Sequence, residues 1–163
     1  MALSKQQKKD LWEKLSDVTK EAKSIVFVNF HQLKVANATI IRRKLKAEGI
    51  KFLVAKKTIT KKVFAEKGYE GTIPELEGEL GLAYGTDLVA PAREIFDFQK
   101  KLKDQVSIMG GVFEGKYMSK EEMLSIATIP PQKTLHAMFV NVINSPIQGF
   151  VMALNEIAKK KTA

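Results

Sequence analysis

The sequence contains no cysteine, and this absence excludes several kinds of chemistry at once. A chain without thiols forms no disulfide, offers no thiolate nucleophile and cannot build a zinc–thiolate site. Only two histidines, His31 and His136, remain as soft metal ligands. The sequence therefore predicts no metal site and no cofactor.

Sequence patterns of export and of catalysis are missing as well. No apolar run follows the charged start, and no stretch reaches 18 uninterrupted apolar residues. Gly78, Gly81 and Gly85 lack the spacing of a phosphate loop or a dinucleotide fingerprint, and no Ser/His/Asp set or acidic pair stands out. We therefore expect an unprocessed cytoplasmic protein that is not an enzyme.

Acidic residues are scarce in the first part of the chain. Residues 1–67 contain 17 of the 27 Lys/Arg but only 6 of the 18 Asp/Glu, a net charge of +11, whereas residues 68–118 carry −4 and residues 119–163 carry +2. A localised basic face is typical of proteins that bind polyanions, because each neutralised phosphate releases condensed counterions. RNA, DNA and an anionic membrane surface all fit this pattern.

The periodicity of apolar residues predicts an alternation of helices and strands. The predicted elements of the first half are a helix over Ser4–Lys23, a strand over Ser24–Phe30 covered on both faces, a basic helix over Val35–Glu48 stopped by Gly49, a strand over Lys51–Ala55, and a short helix capped by Thr58 and ended by Gly68. The second half adds a strand over Leu80–Tyr84, a helix over Pro91–Lys103, and a strand over Val106–Phe113 broken by a bulge at Gly110-Gly111.

Two strand–helix–strand units of this kind close most simply as a ferredoxin-like βαββαβ domain, an α+β fold with four strands and helices on one face. A helix precedes this domain. From Ser119 onward the pattern is helical, with interruptions at Pro130-Pro131 and Pro146. We therefore expect a globular domain over residues 1–118, a helical linker over 119–133 and a C-terminal helix over 134–163.

Lys56-Lys57-Thr58 lies where a strand ends and a helix begins, so two ammonium groups flank exposed helix N–H donors. This arrangement suits a phosphate, although a solvated lysine pair is the plain alternative. Arg42, Arg43 and Lys46 on the basic helix share its sign. His31, in the loop after the first strand, can stack on a base or can be an ordinary exposed histidine.

The C-terminal segment carries two apolar stripes, one on each side of Pro146. Phe139, Val140 and Ile143 recur eleven residues later as Phe150, Val151 and Leu154. A terminal helix rarely leaves so much apolar surface in water, so the stripes dock either on the chain's own sheet or on a partner chain. The candidate partner-binding residues are Leu135, Met138, Phe139, Val142, Ile143, Ile147, Phe150, Val151 and Leu154. We assign His136 a structural role.

Six segments spread over nearly the whole chain form a recognisable set: Ser24–Val28 leading into Leu33-Lys34-Val35, Ile41–Gly49, Val54–Ile59, Ala90-Pro91-Ala92, Gly110–Gly115 and Ile126–Pro130. Taken together, these segments resemble the bacterial ribosomal stalk-base family, the tenth protein of the large subunit and counterpart of the archaeal and eukaryotic P-zero protein.

The resemblance implies a scaffold with two parts. The basic domain would bind large-subunit ribosomal RNA beside the eleventh large-subunit protein, and the C-terminal helix would carry dimers of the acidic stalk protein, two by the eleven-residue recurrence. Those dimers recruit translational GTPases, and the family also represses translation of its own messenger RNA in bacteria. The candidate RNA-binding residues are Lys5, Lys8, Lys9, His31, Gln32, Arg42, Arg43, Lys46, Lys56, Lys57 and Thr58.

Two positions depart from the family pattern, in loops that face RNA in the family. Gln32 stands where a glycine is usual, and Lys57 replaces an asparagine. Lys57 would add a phosphate contact where the amide made a hydrogen bond.

Two other functions remain open from the residues. One is a free nucleic-acid-binding regulator that dimerises through the segment Phe139–Leu154. The other is an enzyme of the acyl-phosphatase type, which rests on the expected fold alone and would need an arginine-bearing phosphate loop that the sequence does not contain.

Overall fold

The computed structural model describes residues 5–76, 78–102 and 105–162, and these divide into two compact units, Met1–Ile129 and Pro130–Ala163, termed the globular unit and the helical unit. The elements of the globular unit are α1 (Lys5–Glu21), β1 (Ser24–Phe30), α2 (Val35–Ala47), β2 (Lys51–Val54), α3 (Lys57–Lys67), β3 (Glu79–Gly85), α4 (Ala90–Lys101), β4 (Val106–Phe113), β5 (Lys116–Met118) and α5 (Lys120–Ala127). The helical unit contains α6 (Gln132–Thr162).

The strands form one antiparallel sheet in the order β2-β3-β1-β4-β5. The order of the first four is that of a ferredoxin-like βαββαβ sheet, because β3 lies between the two strands that α2 connects. The predicted α+β class is confirmed. The predicted count of four strands is wrong, since the three-residue strand β5 pairs with the end of β4 through a turn at Glu114-Gly115.

The glycine pair Gly110-Gly111 does not interrupt the strand predicted over Val106–Phe113. β4 is continuous, but its register against β1 shifts: Phe27 pairs with Gly110 and Val28 pairs with Ile108, which leaves Met109 as the extra residue of a bulge. Gly110 has a φ of +144°, and a Cβ there would lie 2.7 Å from the carbonyl oxygen of Met118. A side chain at this position would therefore collide with β5.

Helices cover both faces of the sheet, so the prediction of helices on one face is wrong. On one face α1 and α3 pack, with Leu15, Val63 and Phe64 in a core with Phe27 of β1. On the other face α2, α4 and α5 bury Leu45, Ile95 and Met123 against Val26 and Val28. Five consecutive residues of β1 are buried because alternate side chains enter different cores.

The residues at the helix ends agree in part with the stop and cap signals of the sequence. Gly49 and Gly68 have positive φ values of 72° and 63° and follow α2 and α3, as expected for left-handed glycines at helix C-termini. Thr58 is not the cap of α3, because Lys56 occupies the N-cap position and no side chain caps this helix. Ser119 and Glu122 form a capping box at the start of α5, where the helical pattern was predicted to begin.

Helix α5 lies within the segment 119–133, for which we expect a linker. It packs on α4 and β4 and buries Met123 and Ala127. Pro130-Pro131 separates it from α6, which runs through Pro146 without the interruption expected there. The functional division into three segments stays a prediction. Of the helix predicted over Pro91–Lys103, Lys103 lies outside the described residues.

Candidate nucleic-acid interface and partner helix

The junction between β2 and α3 presents the lysine pair at a helix start. Lys56 is extended (φ −71°, ψ 131°), and its carbonyl oxygen accepts hydrogen bonds from the amides of Ile59 and Thr60, both at 3.0 Å. The first amides of an α-helix have no partner within the helix, and the aligned peptide dipoles make this end positive. Lys57 is half-buried and Thr58 is exposed. The junction can therefore bind an anion through both charge and N–H donors.

This junction forms one wall of a cleft of about 680 Å³, termed the cationic cleft. Its other walls come from Leu11 of α1 and from Gly78, Glu79 and Leu80. The cleft residues are Leu11, Phe30, Val54–Thr58 and Gly78–Leu80. Lys8 is exposed one helical turn before Leu11, so it extends the positive charge of this region.

A second cavity of about 370 Å³, termed the aromatic cavity, lies between α2 and the ends of β1 and β2. His31, Gln32 and Arg42 line it together with Phe30 and Phe52. The two phenylalanine rings have centroids 6.1 Å apart and an interplanar angle of 48°. Three of the candidate RNA-binding residues thus meet at one apolar hollow.

The cationic cleft and the aromatic cavity share Phe30, Val54 and Glu79 as lining residues. The structure therefore brings six of the predicted residues to one end of the sheet, although they come from three separate segments of the chain: His31, Gln32, Arg42, Lys56, Lys57 and Thr58. Among the residues that the structure describes, Glu79 is the one acidic residue that lines the two cavities.

Other predicted residues are not part of these cavities. Arg43 and Lys46 are exposed on α2 and line neither of them, and Lys9 is exposed on α1. Lys5 is the first residue of α1, and its side chain lies outside the described residues.

Lys44, in the middle of the basic helix, is half-buried and pairs with a residue of another helix. Its Nζ lies 2.7 Å from Oε2 of buried Glu94 and 5.3 Å from the centre of the Phe98 ring. The hydrogen bond to Glu94 raises the pKa of Lys44 above its ordinary value. This ion pair therefore links α2 to α4, whereas Arg42 and Lys46 of the same helix are exposed.

Gln32 has a left-handed backbone with a φ of +49°. Residues with a Cβ adopt this conformation at a cost, whereas glycine adopts it freely. This geometry gives a physical reason for the glycine that is usual at this position in the family that the chain resembles. In this chain the backbone of Gln32 is strained, and its amide side chain lines the aromatic cavity.

Phe30, Phe52 and Glu79 are site residues that the sequence analysis missed. The two rings lie over Gly81, where a Cβ would be 2.6 Å from Cε1 of Phe30 and 2.7 Å from Cζ of Phe52. Gly81 pairs with Val28 on one side and Val54 on the other. The strand register is needed to see that the glycine leaves room for the two rings. In the sequence alone, the one signal for this site was a glycine inside an apolar strand.

All the predicted partner-binding residues lie on α6 and are exposed. The exposed fraction is 68% for Phe139 and 66% for Phe150, and the others range from 41% for Leu135 to 71% for Val142. By length and composition alone, Gln132–Lys160 is also long and apolar enough to cross a membrane. Its interior includes Asn141, Asn144 and Gln148, which hydrocarbon would not solvate.

Comparison with known proteins identifies relatives over nearly the full length. Residues 3–100 match the family model described as ribosomal protein L10. The chain is 34% identical over 160 residues to the large ribosomal subunit protein uL10 of Pelotomaculum thermopropionicum, with 98% of this chain and 91% of that protein covered. It is 36% identical over 165 residues to the uL10 protein of Fusobacterium nucleatum, with 98% and 97% covered.

Proposed function

The chain belongs to the ribosomal protein L10 family, and from this premise we propose that it acts as the base of the stalk of the large ribosomal subunit. It is a structural protein of the large ribosomal subunit, ribosome-bound in the cytoplasm, and not an enzyme. Its globular unit binds ribosomal RNA through the cationic cleft, and α6 carries dimers of an acidic stalk protein. Through those dimers it recruits translational GTPases.

The observation that carries the RNA-binding proposal is the convergence of Arg42, Lys56 and Lys57 on two adjoining cavities at one end of the sheet. Three cations from two segments, together with the positive end of α3, concentrate positive charge at this end of the sheet, where a phosphate backbone can be bound. The neighbouring eleventh large-subunit protein would contact the same unit on the ribosome.

A matched pair of variants tests the RNA interface. Lys56→Gln/Lys57→Gln removes two charges at the start of α3, and Lys61→Gln/Lys62→Gln removes two within it, but only the first pair lines the cationic cleft. The first variant should weaken binding to large-subunit ribosomal RNA and reduce the slope of log K against log salt by about one to two units. The control should keep the slope. Equal behaviour of the two variants would remove the cleft from the interface.

Partner binding by α6 is supported by its two exposed apolar stripes and by its charge. Residues 132–162 contain four lysines and one glutamate, so the helix complements an acidic partner. A shift of eleven residues rotates an α-helix by only about 20° and advances it by about 16.5 Å. The two stripes therefore present nearly the same face to two partners in a row.

Truncation separates the two stripes. We expect the full chain to bind two stalk dimers, a chain ending at Ser145 to bind one, and a chain ending at Ile129 to bind none, as read from native masses with the purified acidic partner. One or three dimers on the full chain would contradict the assignment.

Two other outcomes would replace the stalk-base function. A full chain that forms a ribosome-free homodimer through α6 would be the nucleic-acid-binding regulator, and flotation with anionic vesicles would indicate a membrane helix.

Repression of its own messenger RNA would use the same cationic cleft, since a transcript can compete only by offering similar phosphate contacts. A reporter preceded by the chain's own leader should be repressed by the wild-type protein and by Lys61→Gln/Lys62→Gln. It should escape repression by Lys56→Gln/Lys57→Gln. Absence of repression by the wild-type protein would show that this organism does not use the mechanism.

A further inference from the structure

We infer that the aromatic cavity receives one unstacked base of the RNA bound at the cationic cleft, and that it prefers guanine. The inference rests on the RNA-binding function proposed above and names what enters the cavity. Its volume of about 370 Å³ lies within the range of about 300–1,000 Å³ typical of small-ligand sites.

The interior of the cavity suits a flat aromatic group. Phe30 and Phe52 supply two rings above Gly81, and Leu33, Ile41 and Ile95 complete an apolar lining. RNA-binding proteins read single-stranded segments by stacking splayed bases on aromatic side chains. The rings are only partly buried in the core, so they remain available for such stacking.

The rim of the cavity carries polar groups that can read a base edge. Gln32 offers an amide, His31 an imidazole and Glu79 a carboxylate. A carboxylate repels phosphate but accepts hydrogen bonds from N–H groups. Guanine presents N1–H and the N2 amino group side by side, which match the two carboxylate oxygens, whereas uracil presents only N3–H. Glu79 therefore selects for guanine.

The position of the cavity argues for an RNA base over an apolar peptide. It adjoins the cationic cleft through Phe30, Val54 and Glu79, so a nucleotide whose base enters the cavity has lysines beside its phosphate. Arg42 adds a further cation to the lining of the cavity. An apolar peptide would not use these positive charges.

Methyl NMR of the full chain with 5′-GMP and 5′-UMP as probes tests the pocket. GMP at millimolar concentration should shift the methyl signals of Leu33, Ile41 and Ile95 and leave those of Leu15 and Val63, on the other face of the sheet, in place. UMP should shift the same signals several-fold less.

Three variants test whether the methyl shifts arise from nucleotide binding in the aromatic cavity. Ala38→Leu fills the cavity and should abolish the shifts, with Phe52→Leu as a second variant if the first does not fold. Glu79→Gln should bring GMP and UMP close to parity. Ala38→Leu should also weaken binding to large-subunit ribosomal RNA by about tenfold without changing its salt slope, since one base stack is lost.

The outcomes separate this inference from the proposed function. Absence of methyl shifts with either nucleotide, or an unchanged RNA affinity of Ala38→Leu, would overturn the base pocket even if Lys56→Gln/Lys57→Gln flattens the salt slope. Equal shifts with GMP and UMP in the wild-type protein would overturn the guanine preference. Loss of affinity in Ala38→Leu alone, with no effect of the lysine variant, would support the pocket and reject the cationic cleft.

Discussion

The globular unit and α6 use the same kinds of side chain in opposite ways. In the globular unit Phe64 is 1% exposed and its ring contacts that of Phe27 edge-on, with centroids 5.3 Å apart. In α6 Phe139 is 68% exposed. Burial within the chain stabilises the fold, whereas apolar surface left in water is characteristic of a site completed by another molecule. We therefore expect the aromatic residues of the globular unit to contribute to folding stability, and those of α6 to contribute to partner binding.

Replacing the two phenylalanines by alanine is the strongest test of this division. Phe64→Ala leaves a cavity in the core and should lower the free energy of unfolding by about 3–5 kcal/mol. Phe139→Ala should change it by less than about 0.5 kcal/mol, because the ring is already in water. Urea denaturation of both full-length variants measures the difference. A comparable loss in the two would mean that α6 contributes to the folding of the globular unit.

A pair of glycines sharpens the comparison at the level of packing. Gly81→Ala places a Cβ within 3 Å of Phe30 and Phe52 and should destabilise the globular unit by about 1–3 kcal/mol. Gly149→Ala meets nothing within 4 Å and should raise the helicity of α6, since alanine is the better helix former by about 1 kcal/mol. Circular dichroism during thermal unfolding distinguishes these effects. An unchanged stability of Gly81→Ala would show that the rings of Phe30 and Phe52 move aside at little energetic cost.

Alkaline pH should weaken the globular unit by ionising a buried phenol. Burial raises the pKa of Tyr117 to about 12, and its hydroxyl donates a hydrogen bond to the carbonyl oxygen of Phe64. Because the folded pKa exceeds the unfolded value of about 10, this contribution to stability is complete below pH 10 and is lost as pH rises toward 12.

Tyr117→Phe should therefore reduce the pH dependence of unfolding between pH 10 and 12, at a cost of about 1 kcal/mol at neutral pH from the lost hydrogen bond. Chemical denaturation at several pH values provides the measurement. α6 contains no tyrosine, so no phenol contributes to its helicity in this range. A slope unchanged by the substitution would assign the alkaline effect to other groups.

The smallest expected effect comes from two glutamines. Gln32→Gly relieves a left-handed backbone at φ +49° and should be neutral to stabilising by up to about 1 kcal/mol. Gln148→Gly introduces glycine into the interior of α6 and should lower its helicity. Thermal melts followed by circular dichroism measure both. Destabilisation by Gln32→Gly would mean that the amide side chain offsets the backbone strain.

Local patterns predicted the elements well, but not how the helices distribute over the sheet. The continuous apolar run Ser24–Val28 correctly indicated a strand covered on both faces. The thin stripe of α1 and the short helix α3 did not reveal that they form the second layer, because the face that a helix covers depends on the path of its connections. β5 was missed because three residues carry too little periodicity.

The candidate site was predictable in its charge and not in its shape. The shared sign of Arg42, Lys56 and Lys57 indicated a common surface, and the structure places them on adjoining cavities. Phe30, Phe52 and Glu79 are brought to that place by strand register across Gly81, which no local pattern of the sequence contains. Whether these residues bind RNA stays a prediction.

If α6 carries the partners proposed above, its exposed stripes distinguish assembled from unassembled copies of the protein. A copy without partners would display apolar segments that holdase chaperones and proteases recognise, and a partnered copy would hide them. Surplus chains would then be removed while assembled ones persist. We therefore expect the cellular half-life of this protein to follow the supply of its partner, so that stoichiometry is maintained without any additional sensor.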